Sequence, residues 1–168
     1  IGTVTSVLFY LAVGKESALG FLFTVAALIS TAASILSIRV LKKFPNGFWI
    51  GAIGTAFAIA WFALFQNLLG VWIFLIVSSL TGPFLFNTMD VEFFNAVDSA
   101  PGTWQNKYHM MLEQQVLFCF MRTVSYIILF MMLQFGDEIA ISRLWLLMLP
   151  ILPLAIGVLL HKTLYSST

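Results

Sequence analysis

Polar and charged positions break this chain into long apolar runs with short gaps between them. Ser17 to Ile38 contains 22 residues without a charge, and Phe44 to Met89 contains 46. A helix needs about 20 predominantly apolar residues to cross a hydrocarbon core of ~30 Å. The first run is long enough for one such helix and the second for two. The breakers between runs predict six helical segments, at about 1–13, 18–40, 48–66, 69–89, 108–135 and 144–160. Gly14 to Ser17 closes the first, and Pro45-Asn46-Gly47 separates the second from the third. Gly82-Pro83 falls inside the fourth and predicts a kink, because proline withholds a backbone donor. Met89 to Lys107 reads as a loop with three acids and one lysine, and Gly136 to Arg143 as a turn. The first segment would reach only ~21 Å as a helix, so it reads as a helix whose start has been cut away. It has no basic leader, which argues against a signal peptide.

Polar residues are shared unequally among these segments. The third has Thr55 as its clear mid-span polar side chain, and the sixth has none except the Trp145 ring. The others carry stripes: Thr3, Ser6 and Tyr10 in the first; Thr24, Ser30, Thr31, Ser34 and Ser37 in the second; Ser78, Ser79, Thr81 and Asn87 in the fourth; Gln114, Gln115, Arg122, Thr123, Ser125, Tyr126 and Gln134 in the fifth. Small residues recur every fourth position at Ala52, Ala56 and Ala60 and at Ala26, Ser30 and Ser34, and Gly47 and Gly51 form a GxxxG. Such faces let membrane helices approach closely.

Composition strengthens the membrane reading. The chain is 61% apolar and 9% charged, with mean hydropathy +1.00, where soluble domains carry roughly 25% charge. It has too little polar surface for a dispersed soluble domain. A net charge of +1 gives no basic face for nucleic acid, and the lone Cys119 excludes an internal disulfide. If the six segments cross a membrane in turn, Arg39, Lys42, Lys43, Lys107 and Lys162 fall on one side, and Lys15 and Arg143 on the other. The side richer in lysine and arginine is cytoplasmic, which predicts a cytoplasmic C-terminus. Trp49, Trp72, Trp104 and Trp145 lie near segment ends, as interfacial aromatics do.

Arg122 is the sharpest single feature. It lies nine residues beyond Glu113, about 13 Å along a helix, inside an uncharged run from Gln114 to Gly136. A charge near the centre of a bilayer costs on the order of 3 kcal/mol on insertion scales, so such a side chain faces protein or water. At about 100° per residue, Gln115, Phe118, Cys119, Ser125, Tyr126 and Leu129 share its face, and Glu113 lies opposite. The inventory excludes an intramembrane enzyme: there is no HExxH or GxSxG, the two histidines are far apart, and no paired acids lie within a span. No metal or other cofactor is expected.

The cationic stretch Ser37 to Gly47 carries a resemblance. Major facilitator superfamily transporters have, after the second helix of each half, Gly, three residues, Asp, Arg, one residue, Gly and two basic residues. Arg39, Lys42 and Lys43 match its basic positions, while Ser34, Ile38 and Leu41 stand at its glycine, aspartate and second glycine. This resembles the degenerate copy of the C-terminal half. "MLEQQVLFCFMRTVSYIILF" is similar to the eleventh helix of many bacterial members, where a Glu near the cytoplasmic end precedes a buried Arg. The resemblance implies an all-α integral membrane fold: a six-helix bundle forming half of a twelve-helix transporter, in which the third and sixth helices face lipid and the other four line a cavity.

These readings together predict transport of a small solute by alternating access in the plasma membrane, with an N-terminal six-helix half as partner. The expected cavity residues are Arg122, Gln115, Tyr126, Ser30 and Asn87. The expected cytoplasmic gate pairs Arg39, Lys42 and Lys43 with Asp90 and Glu113. The alternative is a non-transporting membrane scaffold or assembly subunit, which would have no evident need for polar stripes on four segments and none on two.

Overall fold

The computed structural model describes residues 2–134 and 138–166, with the side chains at 8–44, 46–132, 134 and 140–164. Among the described residues every regular element is helical. In order they are α1 (Gly2–Val13), α2 (Glu16–Lys43), a 3-10 turn (Pro45–Gly47), α3 (Phe48–Leu64), α4 (Leu68–Ser99), α5 (Trp104–Leu133), α6 (Glu138–Met148) and α7 (Ile151–Ser166). Among the described residues, four stretches are long and apolar enough to cross a membrane: Glu16–Lys43, Leu68–Ser99, Trp104–Met132 and Ala140–Leu164. α3 is apolar but shorter.

Two boundaries differ from the sequence expectation. α4 does not stop near Met89 but continues to Ser99, and only Ala100 to Thr103 separate it from α5. Charge had marked 90–99 as loop, but that stretch contains neither glycine nor proline to stop a helix. The stop comes at Pro101-Gly102, because a residue before proline is pushed out of the helical region. Gly102 adopts φ +125°, open to glycine alone without strain. The sixth expected segment is also broken, at Leu149-Pro150, into α6 and α7. Pro150 cannot donate to the helix ladder, whereas Pro153 sits in the first turn of α7, where no intrahelical donor is needed. Pro83 is different again. α4 continues through it, losing the one bond that its N–H would have made to the Ser79 carbonyl.

The chain divides into two compact units, one of Ile1–Thr88 with Leu146–Thr168 and one of Met89–Trp145. In the first, α1 ends at Gly14, whose φ of +71° lets its N–H cap the Tyr10 carbonyl at 2.8 Å. An aromatic core lies close by. Phe9 meets Phe62 edge-on at 4.8 Å between centroids and Phe74 at 5.2 Å, packed with Leu22, Ala26, Val71 and Leu75. Glycines bring α3 against its neighbours. A Cβ on Gly51 would meet the Leu85 backbone N and the Thr81 carbonyl, one on Gly54 would strike the Thr81 side chain, and one on Gly157 would lie 3.0 Å from Ala52 Cβ. Backbones approach this closely only where side chains are absent.

The polar-poor α3 has two faces. Gly51, Ala52, Ala56, Ile59, Phe62 and Ala63 are buried, while Ile50, Ile53, Phe57 and Leu64 are exposed. In the second unit, the end of α4 and the start of α5 are tied by Lys107, whose Nζ donates to the Asp98 carbonyl at 2.8 Å and lies 3.6 Å from its carboxylate. The Asp98 side chain is exposed, so this pair adds little stability.

Candidate functional site

The expected cavity residues separate into two sets. Gln115, Arg122 and Tyr126 belong to α5 in the second unit, and Ser30 and Asn87 to α2 and α4 in the first.

On α5, Gln115 and Arg122 are exposed and Tyr126 half-buried. The hydroxyls nearby are satisfied by their own helix: Thr123 donates to the Cys119 carbonyl at 2.9 Å and Ser125 to that of Met121 at 2.8 Å. Arg122 has no ion pair among the described residues. Its five donors share a face with Ser125, whose hydroxyl is engaged locally, and with the exposed Gln115. Leu129, on the same face two turns further along, is 6% exposed, so one end of the stripe is packed and the Arg122 stretch is open. Phe118, Phe120 and Met121 around it are exposed as well.

The first unit contains a polar cluster between helices. Asn87 Nδ2 donates to Ser37 Oγ at 2.7 Å and to Ser34 Oγ at 3.1 Å, and Ser37 Oγ donates to the Ser34 carbonyl at 2.8 Å. Ser37 is fully buried. A buried hydroxyl without a partner costs about 1–3 kcal/mol, and here each is engaged. Asn87 is thus a clamp between α4 and α2 and is not free to meet a solute through its amide N–H groups. Sequence reasoning had read Ser34 as a motif position and Ser37 as one more member of a stripe. The signal that could have found the clamp is the spacing of Ser30, Ser34 and Ser37, which share one side of α2 at about 100° per residue. Ser30 is half-buried on that side.

The other polar residues of α2 behave differently. Thr24 and Thr31 are exposed, with hydroxyls bonded at 2.9 Å to the carbonyls of Gly20 and Ala27. They need nothing from a neighbour. The expected single polar wall on α2 is therefore two arrangements, one interhelical and one satisfied within the helix. Among the described residues, three buried polar atoms are without partners: Thr55 Oγ1, Trp61 Nε1 and Gln66 Nε2. All lie on α3 or just beyond it, and nothing in the structure explains them.

The cations of the expected gate lie at a helix end and its acids within helices. Arg39, Lys42 and Lys43 are exposed in the last turns of α2, in the first unit, and Asp90 and Glu113 are exposed on α4 and α5, in the second. His161, near the end of α7, has its ring 6.3 Å from that of Trp49 at the start of α3. The 3-10 turn joins α2 directly to α3, so Arg39, Lys42, Lys43 and Lys162 share one end of the first unit. Asp137 lies outside the described residues. No group of three His, Cys, Asp or Glu that could hold a metal ion occurs among the described residues.

The chain matches no protein-family model, and it has no match among curated proteins or solved structures.

Proposed function

We propose that the chain is an integral membrane protein forming one half of a major-facilitator-type transporter, which moves a small solute by alternating access against an N-terminal six-helix half. The membrane reading rests on the solvent its surface requires. Leu28, Ile53, Phe86 and Phe130 are more than half exposed on four different helices. Large apolar side chains exposed on helix after helix are foreign to monomers in water and ordinary in lipid.

One observation carries the transport reading. The polar face of α5 places Arg122 and Gln115 in the open, within a stretch long and apolar enough to span. An arginine there without a partner is costly in lipid, so the face belongs against protein or a water-filled cavity. A site near the midplane between two helical bundles is where such transporters hold their substrates. Arg122 would then hold an anionic group of the solute in its planar fork, with Gln115 and Tyr126 beside it. Ser30 and Asn87 belong to the first unit, where Asn87 holds α4 to α2 through Ser34 and Ser37. Arg39, Lys42 and Lys43, exposed at the end of α2, suit contact with a membrane surface.

The test is solute uptake by the transporter formed with its N-terminal half. Charged hydrogen bonds are worth about 1.5–3 kcal/mol, so Arg122→Lys and Arg122→Ala should each lower flux by roughly tenfold or more, with membrane abundance near wild type. Arg122→Leu with normal flux and normal or raised abundance would remove Arg122 from the site. A thermal-shift screen of anionic solutes against wild type and Arg122→Ala finds the substrate class first, since a ligand that binds only the folded protein raises its melting temperature.

A further inference from the structure

The buried residues of α2 are Leu22, Ala26, Ala33 and Ser37, and they form one stripe along the helix. At about 100° per residue, Arg39, Lys42 and Lys43 project from the opposite side, roughly 140–240° around from Ser37. The spacing i, i+3, i+4 gathers all three on one face. That face continues along the whole helix. Phe21, Leu28 and Ile35 recur at every seventh residue, are 62%, 68% and 57% exposed, and lead directly to Lys42 at the next seventh position. An uncovered apolar stripe about 21 Å long thus ends in a cationic tip, with Phe44 exposed just beyond it.

The charge at this end has no counterpart in its own unit. Arg39, Lys42, Lys43 and Lys162 lie there, and the one acid in the unit, Glu16, is at the far end of α2. None of the four cations has an ion pair among the described residues. The hydroxyls that could have made the stripe polar, Thr24 and Thr31, are turned back onto their own carbonyls. A ligand for this face must therefore carry negative charge at one end and a long apolar body along the other. It must also lie parallel to a spanning helix.

We infer that the outer face of α2 is a binding site for an anionic phospholipid: an acyl chain lies along Phe21, Leu28 and Ile35, and Arg39, Lys42 and Lys43 hold the phosphate-bearing headgroup. The inference rests on the membrane reading above. Arg39 supplies a planar fork for two phosphate oxygens, and the lysines supply point charges around it. Free phosphate would use the tip but not the stripe. An acidic protein segment would have no need of an apolar lane of this length.

The experiment reconstitutes the chain into vesicles of phosphatidylcholine with and without phosphatidylglycerol. Flotation shows incorporation, and fluorescent lipid analogues then report the preference for the anionic lipid at the protein surface. Each cation near an anionic surface is worth about a fivefold preference. Wild type should therefore favour phosphatidylglycerol by about tenfold or more, less at high salt as screening shortens the reach of charge. Arg39→Gln with Lys42→Gln and Lys43→Gln should bring the ratio close to one, while Lys15→Gln with Arg143→Gln should leave it unchanged. Leu28→Ser with Ile35→Ser should weaken retention of the bound lipid without abolishing its charge preference. If the triple variant folds poorly, the salt titration of wild type carries the same test.

A chain that floats with the vesicles yet shows no anionic preference, or one untouched by the triple substitution, overturns the lipid site and leaves the membrane reading standing. A chain that does not float overturns both. If inorganic phosphate at millimolar concentration displaces the lipid analogue completely, the site belongs to soluble phosphate and the inference fails.

Discussion

Gly51→Ala adds one methyl group where the α4 main chain lies close against α3. The new Cβ would lie 2.8 Å from Leu85 Cβ and 2.9 Å from the Thr81 carbonyl oxygen, and closer still to the Leu85 backbone N. Two of those three atoms are main chain and cannot rotate away, so α4 itself has to move. Overpacking of this kind costs about 1–3 kcal/mol. Alanine returns about 1 kcal/mol through its better helix propensity, leaving a net loss of up to about 2 kcal/mol. Gly20→Ala is the internal control. Nothing lies within 4 Å of a Cβ there, so the same propensity gain goes unopposed and the protein should become more stable. At roughly 2–4 °C per kcal/mol for a chain of this size, the two variants should differ by about 2–12 °C when thermal unfolding is followed by circular dichroism in detergent. Gly54→Ala should fall between them. Its obstruction is the Thr81 side chain, which is held by a 2.8 Å bond to the Val77 carbonyl but can still turn. A Gly51→Ala protein as stable as Gly20→Ala would mean that α3 and α4 do not meet at this glycine, and the packing argument would fail.

Single cysteines at Asn46 and at Lys162, placed in a Cys119→Ser background, should label from the same side of the membrane, the cytoplasmic one by the lysine and arginine bias. Labelling from opposite sides would break the shared end of the first unit. For the Asn87 clamp, interhelical hydrogen bonds in membranes average ~0.6 kcal/mol. Asn87→Ala should therefore cost about 1 kcal/mol in unfolding, and its double-mutant cycle with Ser37→Ala should show coupling of roughly half that or more; zero coupling would dissolve the clamp. Gly14→Ala should destabilise by about 1 kcal/mol, because the left-handed conformation that ends α1 penalises a Cβ.

The helices themselves were legible in the sequence because they depend on local facts. A run of apolar residues without proline or glycine continues as helix, and Pro45-Asn46-Gly47 ends it wherever the rest of the molecule lies. Even the two misread boundaries had local causes, Pro101-Gly102 and Pro150, obscured by reading charge as loop and a long apolar run as unbroken helix. The face of Arg122 was likewise fixed by helical periodicity. Tertiary structure decided which faces are covered. α3 and α5 show why composition could not: the polar-poor α3 presents a glycine and alanine face that fits closely against its neighbours, whereas the polar-rich α5 remains largely exposed. Burial follows the complementary shape of a partner surface, and that is not written in one helix's own residues. The same holds for α2. Its serines and its cations lie on opposite sides by periodicity alone, but only the position of Asn87, 50 residues away from Ser37, makes the serine side the inside and turns the cations outward.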